Sequence, residues 1–307
     1  KNMNMISTGA FQTEMDASSK QSTLAEKFAA VWEKKNAKAA RAGGVSLMAL
    51  SLAACGSSDD DTATTTTDTS TATDTTTTTP VTPTAVSKAF TSNLDALEGG
   101  AGDDTFSGVY YADGGTGTTA FPGDSVTAGD GSDTLSISVA GLSTVAQNIN
   151  AIRTTGVETL LVTNFDTNAD DTEDTTVDTS LMSGLTSAGL NASSATGDTI
   201  FSNMTSIIGS SMSNGSGDLT MTYAAAAVAG SADTQAVTVA NVSAGTFTAN
   251  GAETIAITTS TVKSTLTNVV SDAMTSLTIA GDQALTISTA LTNKTIDASA
   301  NTGGVTI

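Results

Sequence analysis

The residues best suited to chemistry are glycines and aspartates between Gly99 and Leu135. Gly99-Gly100-Ala101-Gly102-Asp103-Asp104-Thr105-Phe106 is echoed by Ala128-Gly129-Asp130-Gly131-Ser132-Asp133-Thr134-Leu135. Both follow the pattern G-G-x-G-x-D-x-U, with U a large apolar residue, and the second copy has alanine at the first glycine. Glycines let the backbone turn tightly with positive φ and leave carbonyls open. The aspartate adds a hard anionic oxygen, and U plugs a core. Turns of this kind gather the oxygen ligands that Ca²⁺ prefers, so calcium binding is the chemistry expected. The competing expectation is a pair of acidic, glycine-rich turns that bind nothing.

These residues resemble the calcium-binding β-roll of the RTX, or repeats-in-toxin, family. The resemblance implies Asp104 and Asp133 as carboxylate ligands, carbonyls from Gly99, Gly102, Gly129 and Gly131, and Asp103 and Asp130 within the same turns. The two copies start 29 residues apart, longer than the roughly 18-residue repeat at which regular β-roll turns share an ion. The segment between them has turn formers of its own, Asp113-Gly114-Gly115 and Pro122-Gly123-Asp124. One or two irregular calcium sites are therefore expected, with Asp113 and Asp124 as further candidates.

Asp166, Asn168, Asp170, Asp171, Glu173, Asp174 and Asp178 form the densest acidic stretch. An EF-hand starting at Asp166 is excluded, because Asp171 stands where glycine is needed and Val177 where the bidentate glutamate belongs. A solvated acidic loop and an irregular calcium site using Asp166 and Asp170 both stay open. Paired carboxylates also raise a glycosidase or a β-helical polysaccharide lyase. No acid/base pair stands out, and beyond residue 54 only Lys88, Arg153, Lys263 and Lys294 are there to stabilise a carbanion. The chain is therefore expected not to be an enzyme.

Composition narrows the elements that can carry these turns. The 307 residues contain no histidine, one cysteine and 4% aromatics. Histidine-dependent catalysis, histidine-ligated zinc, cysteine-ligated clusters and an intrachain disulfide are excluded within this chain. Small and β-branched residues suit thin repetitive β-structures, in which every coil buries a few side chains. The net charge of −20 is uneven: residues 1–54 hold seven Lys/Arg against four Asp/Glu, the remainder four against 27. An acidic body repels nucleic acid, so no nucleic-acid partner is expected, and it attracts divalent cations.

Four regions follow. Residues 1–56 form an N-terminal anchoring segment. Thr23-Leu24-Ala25-Glu26 fits a capping box, Leu24, Phe28 and Val31 recur at helical spacing, and the ten residues Val45 to Ala54 are apolar. Leu52-Ala53-Ala54-Cys55-Gly56 resembles the lipobox of bacterial lipoproteins, which would put a lipid on Cys55. The alternative is a retained segment that docks into a larger assembly or a membrane. Residues 57–88 read as a linker or stalk, because 13 of the 18 residues from Thr62 to Thr79 are threonine. Residues 89–140 hold the RTX-like turns.

Residues 141–307 read as a β-solenoid-like repeat body. Leu142 to Ile152 is taken as a short helix or coil. Gly156-Val157-Glu158-Thr159-Leu160 returns as Gly251-Ala252-Glu253-Thr254-Ile255. Apolar strand starts fall at Val237, Phe247, Ile255, Leu266, Leu277, Leu285, Ile296 and Val305, about ten residues per strand and turn. The uncapped final strand, Val305-Thr306-Ile307, calls for further coils or another subunit.

Residues 95–307 look like bacterial S-layer and related surface β-solenoid proteins. The stretch from Ile6-Ser-Thr-Gly-Ala-Phe11 to Asp61 resembles a leader of structural proteins of marine bacteria and their phages. The fold class expected is mainly β: RTX-like calcium turns, then β-helix-like coils, with a separate N-terminal amphipathic helix. The function implied is structural, in an extracellular self-assembling surface layer or appendage, S-layer-like or a virion fibre, with copies of itself as partners. The alternatives are an outer-membrane lipoprotein adhesin that binds glycans, for which Tyr110-Tyr111 with Phe121 is the candidate aromatic patch, and more remotely the lyase.

Overall fold

The structure is a computed structural model that describes residues 83–112, 116–142, 144–150, 152–167, 174–292 and 294–307. All belong to one compact unit, Thr76–Ile307. The anchoring segment with Cys55, the threonine tract up to residue 82, Asp113 and Asp170 lie outside the described residues.

Strands of two to seven residues cannot hold themselves together, so each must find its backbone partners one coil away. A ten-stranded sheet runs from Ser87–Ala89 to Thr295–Asn301, flanked by sheets of four, six and three strands. The pairings are parallel and in register between successive coils: Thr105 lies beside Thr134, Thr134 beside Thr159, and Thr159 beside Ser187. Further along, Thr254 lies beside Ser276 and Ser276 beside Thr295. This is the expected mainly-β solenoid, with no α-helix among the described residues. The long sheet crosses residue 140 without a break, because Ser136 of Thr134–Ala140 pairs with Leu161 of Thr159–Asn164.

Coil length on the long sheet varies from 18 residues, Ser87 to Thr105, to 29, Thr105 to Thr134. Extra residues loop out at corners and leave the rungs in register. The 29-residue spacing of the two glycine-aspartate motifs is therefore one full coil. It puts Asp104 and Asp133 at the same place on neighbouring rungs.

Alternation sets what faces inward. In Thr134–Ala140, Leu135, Ile137 and Val139 are buried and their neighbours are half-exposed. The inward column Phe106, Leu135, Leu160, Ala188 passes through the buried Ser210 and continues with Val237, Ile257 and Ile279. Each large side chain in it contributes about 1.5–3 kcal/mol. Of the expected strand starts, all eight lie in strands. Val237, Phe247, Ile255, Leu266, Leu277 and Leu285 are buried, while Ile296 is 38% exposed. The region expected as a short helix or coil contains the strand Gln147–Ile149, whose alternate residues Gln147 and Ile149 point inward. Gln147 is half of a polar pair there, its Oε1 accepting the Tyr110 hydroxyl at 3.4 Å.

Candidate metal centre

The corners that precede five of the ten long-sheet strands carry an acid followed by a threonine: Asp104-Thr105, Asp133-Thr134, Glu158-Thr159, Asp233-Thr234 and Glu253-Thr254. A strand start leaves an amide without a ladder partner, and a carboxylate one coil away can accept it. Asp104 Oδ1 accepts the Val86 N–H at 2.7 Å, Asp133 Oδ1 the Asp104 N–H at 2.6 Å, and a Glu158 carboxylate oxygen the Asp133 N–H at 2.8 Å. The Glu253 carboxylate repeats the contact on the Asp233 N–H at 2.8 Å. At the corner of the six-stranded sheet the direction reverses: Asp198 accepts from Asp218 N–H, and Asp218 from Thr246 N–H, both at 2.6 Å.

The glycines of the two motifs serve the same stacking. A side chain at Gly129, whose φ is +106°, would put its Cβ 1.9 Å from the Gly100 carbonyl oxygen. One at Gly99 would reach 1.9 Å from the Ala128 carbonyl oxygen. The backbones of the two coils touch here, which glycine alone permits. Gly102 and Gly131 meet in the same way, the Cβ position of Gly131 lying 2.5 Å from the Gly102 carbonyl oxygen.

The two expected carboxylate ligands differ in how they are used. Asp104 is buried and fully engaged, since its Oδ2 also accepts the Gly100 N–H at 2.5 Å. Asp133 is equally buried, yet its Oδ2 has no hydrogen-bond partner. Burial pushes the Asp133 carboxyl above its usual range; the bond from Asp104 N–H opposes this, and the like charges of Asp104, Glu158 and Asp103 add to it. A protonated carboxyl or a bound cation would relieve that corner.

The remaining candidates are placed as follows. Asp103 accepts the Ser132 N–H at 2.8 Å across the coil step. Asp130 is exposed, and its N–H donates to the Gly100 carbonyl at 3.0 Å. Asp124 is buried, with one oxygen on the Asp95 N–H at 2.9 Å and the other on the Phe121 N–H at 2.7 Å. Asp166 is buried beside Asn164, and its carbonyl takes the Thr196 hydroxyl at 2.8 Å. Among the described residues no group of three or more His, Cys, Asp or Glu side chains is arranged to hold a metal. A cation at Asp133 would therefore lean on few carboxylates and complete its shell from other oxygens.

Glu158 and Glu253 were visible in the sequence only as parts of an echo; their place in the acid column comes from coil register. The two tyrosines of the aromatic patch do not share one platform. Tyr110 is half-buried through its bond to Gln147, and the Tyr111 ring lies over Gly117, 2.9 Å from where a Cβ would sit. A groove of about 150 Å³ opens where the four-stranded sheet ends at Met182–Ser183, and its lining of Thr179, Met182, Leu185, Met204, Ser206 and Ile208 among others has no titratable side chain. No family model, curated protein or solved structure matches the chain.

Proposed function

We propose that this is a non-enzymatic structural protein of an extracellular surface layer or appendage, S-layer-like or a virion fibre, in which the solenoid is a rigid spacer stiffened by calcium. The observation that carries the reading is the acid column Asp104, Asp133, Glu158. Its carboxylates tie successive coils along the axis and leave one buried oxygen, Asp133 Oδ2, that a divalent ion would pair. Asp133 would hold the ion, with Asp103 and Glu158 beside it. The ion would bring positive charge to a corner where like charges crowd. Residues 1–56 would attach the protein to a larger assembly or a membrane, and identical chains would be its other partners.

The test is calorimetric melting of the full chain in calcium and in chelator. An ion that binds only the folded state at one hundred times its dissociation constant adds about 2.7 kcal/mol. The expected result is a higher melting temperature in calcium, with straight, uniform particles by negative-stain microscopy. Identical melting in calcium and in chelator would overturn the calcium part, and irregular aggregates without particles of uniform width would overturn the spacer.

A further inference from the structure

Charge is distributed unevenly around the solenoid. No residue pointing outward from the long sheet between Thr105 and Ala280 is charged, in a chain of net charge −20. One outward column runs Ser136, Leu161, Gly189, Ser211, Thr238, Thr258 across successive rungs. The acids lie along one border of this face, where the strands begin: Asp104, Asp133, Glu158, Asp233 and Glu253. The opposite border is turned by Gly141, Ala192, Asn214, Asn241 and Gly281, and of the described acids it carries only the buried Asp166 and, at its far end, the exposed Asp282.

We infer that this face is where two copies of the chain associate, sheet against sheet; the inference rests on the structural role proposed above. Two bodies this acidic repel one another on any charged surface, and the long sheet offers an approach without that cost. Its size is sufficient: eight rungs at about 4.8 Å by five or six residues at about 3.3 Å give roughly 700 Å² per partner, close to the roughly 800 Å² of a standard interface. Small outward side chains let two flat parallel sheets approach closely and interdigitate. The borders fix the orientation. A two-fold axis along the solenoid lays the acidic border of each copy over the less acidic border of the other, with solenoid axes parallel and strands antiparallel. A two-fold axis along the strands would set acid on acid.

The experiment is sedimentation velocity of the full chain in calcium-containing buffer, with far-UV circular dichroism confirming that each variant folds. Thr238 and Thr258 are exposed on the sixth and seventh of the eight rungs of the face, and Thr222 is exposed on the six-stranded sheet. The parent is expected to dimerise, Thr238→Glu with Thr258→Glu to weaken association at least tenfold, and Thr222→Glu to leave it unchanged. Leu142→Lys, on the less acidic border, is expected to tighten association several-fold in a salt-dependent way by facing the partner's acids. A parent that stays monomeric, or a face variant that associates like the parent, overturns the inference. A Leu142→Lys variant with unchanged or weaker association overturns the orientation. Loss of association in Thr222→Glu alone would place the contact elsewhere and leave the structural role standing, whereas dimerisation through this face without any calcium effect on melting would leave the inference standing and remove the ion.

Discussion

Asp133 concentrates the chemistry of the corner in one side chain. Its raised carboxyl pKa means that the folded chain binds this proton more readily than the unfolded chain does. Its contribution to stability is therefore full at pH values below the ordinary aspartate range and is lost as pH rises through the folded value. Asp133→Asn keeps an oxygen for the Asp104 N–H and removes the charge. In chelator at pH 7 the variant is expected to melt at or above the parent temperature, and in calcium below it, if the ion sits on this oxygen. A variant less stable than the parent in both buffers would mean that the carboxylate acts only as an acceptor for the backbone. A second residue carries a backbone cost. Ala192 has φ +57° at the same corner where Asn214 and Asn241 take φ +55°. The Asn214 amide donates to Asn191 Oδ1 at 3.1 Å, and the Asn241 amide to Asn214 Oδ1 at 3.2 Å. Ala192→Gly relieves the left-handed strain and is expected to add about 0.5–1 kcal/mol in a denaturant titration.

At the scale of the element, the recurring unit is an acid, a threonine and an inward apolar residue, found at Asp104, Asp133, Glu158 and Glu253, with the buried Gln235 in the third place after Asp233. The acid closes the amide that the strand start leaves open, much as a side chain caps a helix. Glu253→Ala exposes the Asp233 N–H and is expected to cost about 1–2 kcal/mol, read from denaturant midpoints at unchanged slope. Glu253→Gln, which keeps an acceptor, is expected to recover most of it. This unit was partly legible in the sequence. The short alternating triplets gave the strands, and the eight expected strand starts from Val237 to Val305 all lie in them. The echo of Gly156-Val157-Glu158-Thr159 in Gly251-Ala252-Glu253-Thr254 marked equivalent corners. What sequence spacing could not give was register, because corner loops change the coil length from 18 to 29 residues while the rungs stay aligned. For the same reason the 29-residue spacing of the motifs at Gly99 and Ala128 did not show that their backbones touch. Gln147–Ile149 was missed as a strand because three residues hold too little alternation to distinguish them from a coil.

At the scale of the whole solenoid, each rung contacts only its neighbours, so stability is close to a sum of nearest-neighbour terms. The inward column makes that concrete: Ile257 lies between Val237 and Ile279 on adjoining rungs and is 1% exposed. Ile257→Ala should cost about 2–5 kcal/mol by lost burial and the cavity left behind. In a one-dimensional array that loss stays local. Hydrogen exchange is expected to quicken most in Thr234–Ala240, Thr254–Thr259 and Ser276–Gly281, less in Gly209–Ser213, and hardly at all in Thr134–Ala140, five rungs away along the sheet. Equal acceleration in every strand would mean that the coils unfold as one cooperative body, with the acid column coupling corners beyond their nearest neighbours. The local pattern is what a spacer requires, since a defect in one coil would then leave the remaining rungs stiff and the long sheet's outer face flat on either side of it.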